Sequence, residues 1–174
     1  MNKKIKDIAI ISVAAAMICV LSPISIPIGD VPISLATFII YLIVAILGPK
    51  KGTISVLVYI LVGIIGVPVF SSYRAGISVI VGVTGGYIVG YIPLALLTGI
   101  FTYKFKNKIW MYPIGMILGT IVCYFIGTVW YMFNTNNNLI SSLLVCVVPF
   151  LLFDLIKIVL SSVLAYLINK KLSL

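Results

Sequence analysis

The sequence predicts an all-α integral membrane protein, a bundle of six transmembrane helices with both termini in the cytoplasm. Of the 174 residues, 63% are hydrophobic and 9% are charged, whereas about a quarter of an ordinary soluble domain is charged. The apolar residues fall into six segments, most of them near the ~20 residues that a helix needs to cross a bilayer. Six spans take about 120 residues. We therefore expect residues 1–174 to form one membrane domain, with any energy source on other chains.

Apolar length, interrupted by Pro, Gly, Lys and Asn, predicts the bounds of these spans. The first span follows three lysines, as a signal peptide would, but no small-residue cleavage site follows it, so we interpret it as a first transmembrane helix. The second and third spans are short, which is typical either of helices that border a substrate site or of local bilayer thinning. The predicted spans are 7–26, 33–48, 53–69, 83–103, 110–133 and 149–168.

The lysines predict the orientation, because short loops rich in Lys and Arg stay cytoplasmic. Ten of the 12 basic residues lie before the first span, between the second and third, between the fourth and fifth, or after the sixth. The net charge of +9 therefore indicates a membrane protein rather than a nucleic-acid-binding one. The outer connections are then the turn around Gly29, Asp30 and Pro32, the stretch 68–82, and the stretch 134–148. Arg74 is the one basic residue predicted on that outer face.

The chain lacks the residues that metal binding, disulfide formation and nucleophilic catalysis require. There is no histidine, the three acidic residues are far apart, and Cys19, Cys123 and Cys146 are isolated in apolar stretches. We therefore expect no metal site, disulfide framework or cofactor. With no nucleophile beside a base, we also expect the chain not to be an enzyme.

Two charged residues interrupt the last span, Asp154 and Lys157. A charge at the centre of a membrane helix costs about 2.5–3.5 kcal/mol on insertion scales, and the i,i+3 spacing places both on one face. Either they form an ion pair that only holds helices together, or they form a binding site. The second interpretation is favoured, because a carboxylate accepts and an ammonium donates hydrogen bonds, so that together they recognise a ligand with both N–H and C=O groups.

Two weaker candidates lie nearer the outer face. Gly82, Gly86 and Gly90 recur every four residues, a stripe that lets a backbone approach either a neighbouring helix or a ligand. Arg74 is either a solvated loop residue or a partner for an anionic ligand group.

At these motifs the sequence closely resembles the BioY family, the biotin-specific S components of energy-coupling factor (ECF) transporters. The resemblance lies in Gly63-Ile-Ile-Gly66-Val67-Pro68-Val69-Phe70, in Ala75-Gly76-Ile77, in Gly82-Val83-Thr84-Gly85-Gly86-Tyr87 and in Asp154-Leu-Ile-Lys157. Val31-Pro32-Ile33-Ser34 and Leu47-Gly48-Pro49-Lys50-Lys51-Gly52 match earlier helices. Val83 departs from the usual Pro of that family, and Ser12 with Ala16 gives only a small-xxx-small version of its first-helix contact surface.

The resemblance implies a chain that captures biotin outside a prokaryotic plasma membrane. It then delivers biotin inward with a transmembrane coupling subunit (T component) and two ABC ATPases, which hydrolyse the ATP. Asp154 and Lys157 would hold the head group of biotin, while Thr84, Gly85, Gly86 and Tyr87 would line the pocket. We add Arg74 as the hypothetical partner of the valerate carboxylate.

Two alternatives remain open from the sequence. One keeps the class and changes the ligand to riboflavin, thiamine or another vitamin. The other is a self-sufficient secondary transporter that uses Asp154 and Lys157 as a proton or ion relay.

Overall fold

The structure, a computed structural model, describes residues 3–27 and 31–172, so that Gly29 and Asp30 of the predicted outer turn lie outside the described residues. In the described part, the regular elements are helices and one pair of two-residue strands. Its α-helices are α1 (Lys3–Leu21), α2 (Ala36–Ile65), α3 (Ile77–Val81), α4 (Gly85–Lys104), α5 (Met111–Thr135), α6 (Leu139–Cys146) and α7 (Val148–Leu172).

Four helices of the described part are long and apolar enough to cross a membrane, namely α2, α4, α5 and Val148–Lys171 of α7. Helix α1 is also 19 residues long, but four of its first five residues are charged. A membrane protein built of helices is therefore confirmed.

Helix α2 reverses direction in its middle. Gly48 is non-helical, with φ 80° and ψ 178°, and Pro49 follows it. A Cβ on Gly52 would lie 2.8 Å from the Cα of Val44, whereas residues eight apart in a straight helix are separated by about 12 Å along the axis. The halves 36–47 and 49–65 therefore pack side by side. Glycine is needed at the turn because a side chain there would be strained at positive φ.

The first predicted span ends earlier than expected. Helix α1 stops at Leu21, and strand β1 (Ser25–Ile26) pairs antiparallel with β2 (Ile33–Ser34). Two-residue strands are too short to show an alternating pattern, so they could not be predicted from sequence periodicity. The backbone N–H of Ser72 donates to the Pro23 carbonyl at 3.1 Å and to Ser25 Oγ at 2.9 Å. These bonds join the strand pair to a 3₁₀ turn, Ser71–Tyr73.

Helix α4 lies at the centre of the packing, against α5 and α2. The glycine stripe explains its close contact with α5. A Cβ on Gly86 would clash with Trp130, and one on Gly90 would lie 3.0 Å from Cys123 Sγ. The indole of Trp130 also donates to the Gly82 carbonyl at 3.0 Å. The stripe is therefore a helix-packing surface.

Candidate functional site

A cavity lies where the beginnings of α2, α4 and α7 meet the middle of α5 and the turn 70–74. Its empty space is about 620 Å³, a volume that includes space open to solvent. The polar lining residues are Ser34, Thr37, Ser71, Arg74, Thr84, Tyr87, Tyr91, Thr120, Tyr124, Asp154 and Lys157. The others are Val31, Pro32, Phe70, Val79, Ile88, Leu94, Cys123 and Phe150. Polar and charged side chains thus outnumber the others in the lining, although the surface that faces the cavity is mainly apolar.

Asp154 and Lys157 form a buried ion pair in this cavity. They are 5% and 9% exposed, and Lys157 Nζ donates to Asp154 Oδ1 at 2.9 Å. Both lie on the cavity-facing side of α7, as their i,i+3 spacing predicts. The pair is neutral as a whole, which reduces the penalty of burying either charge alone.

Two hydroxyl groups complete the surroundings of the carboxylate. Thr37 Oγ1, from α2, donates to Asp154 Oδ1 at 3.3 Å and accepts from Lys157 Nζ at 3.1 Å. Tyr124, from α5, donates its hydroxyl proton to Asp154 Oδ2 at 2.5 Å. Each carboxylate oxygen therefore receives a donor from a different helix. An ammonium has three N–H donors, and these contacts use two of those on Lys157.

The start of α4 supplies a second wall of the cavity. Thr84 and Tyr87 line it, both buried, and the Tyr87 hydroxyl donates to the Cys146 carbonyl at 3.0 Å. That bond ties α6, which ends at Cys146, to α4. Tyr87 therefore lines the cavity and also holds α6 against α4 through this hydrogen bond.

The two glycines predicted beside Thr84 and Tyr87 are not among the lining residues. A Cβ on Gly85 would clash with the backbone of Ile80, and one on Gly86 with Trp130. Both positions therefore bring α4 close to its protein neighbours. Contact of these glycines with a ligand stays a prediction.

Arg74 reaches the cavity from the loop before α3. Its Nε donates to the Ser71 carbonyl at 3.3 Å, and its own carbonyl accepts from Phe70 N at 3.0 Å. Ser72 and Tyr73 have φ of 60° and 57°, an uncommon left-handed conformation for residues other than glycine. The hydrogen bonds from Ser72 to Pro23 and Ser25 stabilise this conformation of the loop. The loop thus holds the guanidinium at the cavity. No other hydrogen bond of the guanidinium to a described residue is seen, so its remaining donors can bind an anion.

The structure therefore brings together five of the seven predicted residues: Asp154, Lys157, Thr84, Tyr87 and Arg74 line one cavity. Sequence reasoning missed Thr37, Tyr91 and Tyr124. Tyr91 follows Tyr87 by four residues on the same helix face, a signal that was available. Among the described residues, no three His, Cys, Asp or Glu side chains come together as metal ligands would.

Comparisons with known proteins extend over the whole chain. The model of the BioY family matches residues 1–174. The biotin transporter BioY2 of Lactococcus lactis is 33% identical over 172 residues, 99% of this chain and 94% of that protein. The biotin transporter BioY of Thermotoga maritima is 37% identical over 155 residues, 89% and 90% of the two chains.

A solved structure has the same fold. It is the crystal structure at 2.1 Å of the S-component for biotin from an ECF-type ABC transporter. The TM-score is 0.89 at 32% identity, with 97% of this chain and 93% of that chain covered. Sequence and fold therefore agree over nearly the full length of both chains.

Proposed function

Because the chain belongs to the BioY family, we propose that it is the biotin-binding S component of an ECF-type vitamin uptake transporter. The observation that carries this function is the buried Asp154–Lys157 pair in the wall of an apolar cavity. An intramembrane ion pair with a cavity beside it is typical of a substrate site.

The chemistry of biotin suits this arrangement. Its ureido ring carries two N–H donors and one carbonyl acceptor and has no net charge. The Asp154 carboxylate accepts from N–H groups, and the Lys157 ammonium donates to the carbonyl. The fused rings and the valeryl chain lie against apolar side chains such as Phe70, Leu94 and Phe150, whose contact with the ligand removes apolar surface from water.

The valerate end of biotin carries a negative charge, for which we assign Arg74 as the partner. The support is its position at the cavity, held by the Ser71 carbonyl, and the capacity of a guanidinium to bind a carboxylate with two parallel hydrogen bonds. Asp154 and Lys157 would then recognise the head of the ligand and Arg74 its tail.

The same proposal includes six spans with both termini in the cytoplasm. Since α2 reverses at Gly48, its halves serve as two short spans beside α1, α4, α5 and α7. The lysines at the ends of these elements then lie on one side, which the positive-inside rule places in the cytoplasm. Asp154 is the seventh residue of α7 and Lys170 and Lys171 lie in its last turn, so the cavity lies toward the outer face.

Transport then depends on partners. We place ATP hydrolysis on two ABC ATPases and their connection to this chain on a T component, in the plasma membrane of a prokaryote. The support is the likeness over the full chain to the S-component of an ECF-type ABC transporter. Proteoliposomes that contain this chain alone should show no ATP-driven uptake, and addition of the T component and ATPases should produce it.

Equilibrium binding to the purified chain in detergent tests the ligand. We expect biotin to bind far more tightly than riboflavin or thiamine. The same titration with an Asp154→Asn variant shows whether the signal comes from this cavity, since binding should weaken by at least about tenfold. A preference for another vitamin would contradict the proposal.

A further inference from the structure

A second concave surface lies between α1 and the first half of α2. It is formed by Ala9, Val13 and Met17 on one side and by Leu42, Ile46 and Leu47 on the other. We call this surface the α1–α2 groove. Its lining residues are all apolar, its empty space is about 730 Å³ including open volume, and it shares no residue with the ligand cavity. The groove is therefore separate from the biotin site.

The α1–α2 groove is bordered by positive charge at one end. Lys6 precedes Ala9 by three residues, about 4.5 Å along the helix, and Lys50 follows Leu47 by three residues, which is at most about 10 Å of chain. Both lysines are exposed. The neighbouring Lys51 is neutralised by Asp7, at 2.6 Å. Lys6 and Lys50 thus leave a net positive charge at this end.

An apolar groove with cations at one end is complementary to an anionic amphiphile, which has an apolar chain and a negatively charged head. From Ala9 to Met17 the groove extends about 12 Å along α1, close to the ~15 Å of one hydrocarbon leaflet. We infer that the α1–α2 groove binds one acyl chain of an anionic phospholipid, with the lipid phosphate held by Lys6 and Lys50.

The test is native mass spectrometry of the purified chain in detergent with equal amounts of dioleoylphosphatidylglycerol and dioleoylphosphatidylcholine. We expect the chain to retain one phosphatidylglycerol molecule at least about fivefold more often than phosphatidylcholine, since each basic residue beside a lipid surface contributes about a fivefold attraction to anionic lipid. The double variant Lys6→Gln, Lys50→Gln should lose this preference. The matched control Lys104→Gln, Lys108→Gln, which removes two lysines from the loop between α4 and α5, should keep it.

A second pair of variants tests the apolar part. Ala9→Phe fills the groove and should abolish lipid retention, whereas Ile8→Phe, at a neighbouring position 64% exposed, should leave it intact. Biotin titrations on every variant report folding independently of the lipid.

Three results would overturn the inference. The first is equal retention of the two lipids by the wild-type chain. The second is an equal loss of preference in both lysine variants, which would indicate non-specific attraction. The third is an Ala9→Phe chain that keeps the lipid but no longer copurifies with its T component, since the groove would then be a protein interface.

Discussion

Replacing Lys157 by Met removes the ammonium group while keeping an unbranched side chain. Lys157 Nζ donates to Asp154 Oδ1 at 2.9 Å and to Thr37 Oγ1 at 3.1 Å. A hydrogen bond to a charged group contributes about 1.5–3 kcal/mol. When the third N–H donates to the biotin carbonyl, loss of that bond raises the Kd roughly ten- to hundredfold.

The same variant should also be less stable. Asp154 is 5% exposed, and without Lys157 it keeps only neutral donors, Thr37 and Tyr124. Removing one partner of a buried ion pair costs about 3–5 kcal/mol, whereas replacing both partners is often neutral or stabilising. The double variant Asp154→Asn, Lys157→Met should therefore unfold near the wild-type temperature.

Calorimetric titration with biotin and thermal unfolding in the same detergent separate the two roles of the pair. We expect the double variant to recover stability and still bind biotin at least about tenfold more weakly than the wild type. Recovery of both properties would refute our reasoning, because the pair would then only hold helices together. Lys51→Met is the matched control: its ion pair with Asp7 is about one-third exposed, so it should change stability by less than about 1 kcal/mol and leave biotin binding unchanged.

Other substitutions test the remaining parts of the site. Thr37→Val should lower stability by about 1 kcal/mol and weaken biotin binding several-fold in the same titration. The control Thr53→Val should do neither, because Thr53 Oγ1 is buried with no hydrogen-bond partner among the described residues. Arg74→Gln should weaken binding of biotin but not of biotinamide, which lacks the negative charge; equal weakening of both would remove Arg74 as the carboxylate partner. In intact cells, a membrane-impermeant maleimide should label Asn137→Cys above the wild-type background and label Lys108→Cys only after lysis; the reverse pattern would invert the topology.

The charged pair was predictable from the sequence, but its neighbours were not. Asp154 and Lys157 stand out because charges are rare in apolar helices. Thr37 and Tyr124 do not stand out, since Thr and Tyr occur throughout the spans. Tyr41 and Tyr59, for example, are fully buried but lie outside the cavity lining. Only the folded chain distinguishes a tyrosine that contacts the carboxylate from one that fills the core.

The helical hairpin within α2 was predictable in a similar way. Gly48, Pro49 and the two following lysines divide the apolar run, and the structure reverses direction at Gly48. The strand pair β1–β2 and helix α6 were not predicted as regular elements. The strands are two residues long and α6 has eight residues, too few to establish a periodic pattern. Sequence periodicity therefore predicted the long helices better than these short segments.

Before the ligand binds, both charges of the site already have partners. Asp154 receives hydrogen bonds from Thr37, Tyr124 and Lys157, so a ligand bound there as we propose would not meet bare charges. In the proposed binding mode, the ureido carbonyl accepts from the third N–H of Lys157, and an N–H of the ring exchanges with one of the neutral donors on Asp154. A neutral head with donors and an acceptor allows this exchange without adding net charge to a buried pair, whereas a charged head would leave one charge uncompensated. The proposed preference for a neutral, urea-like head group therefore follows from the neutrality of the pair. In the same proposal the Arg74 guanidinium, carried by a separate loop, binds the anionic tail without disturbing the pair.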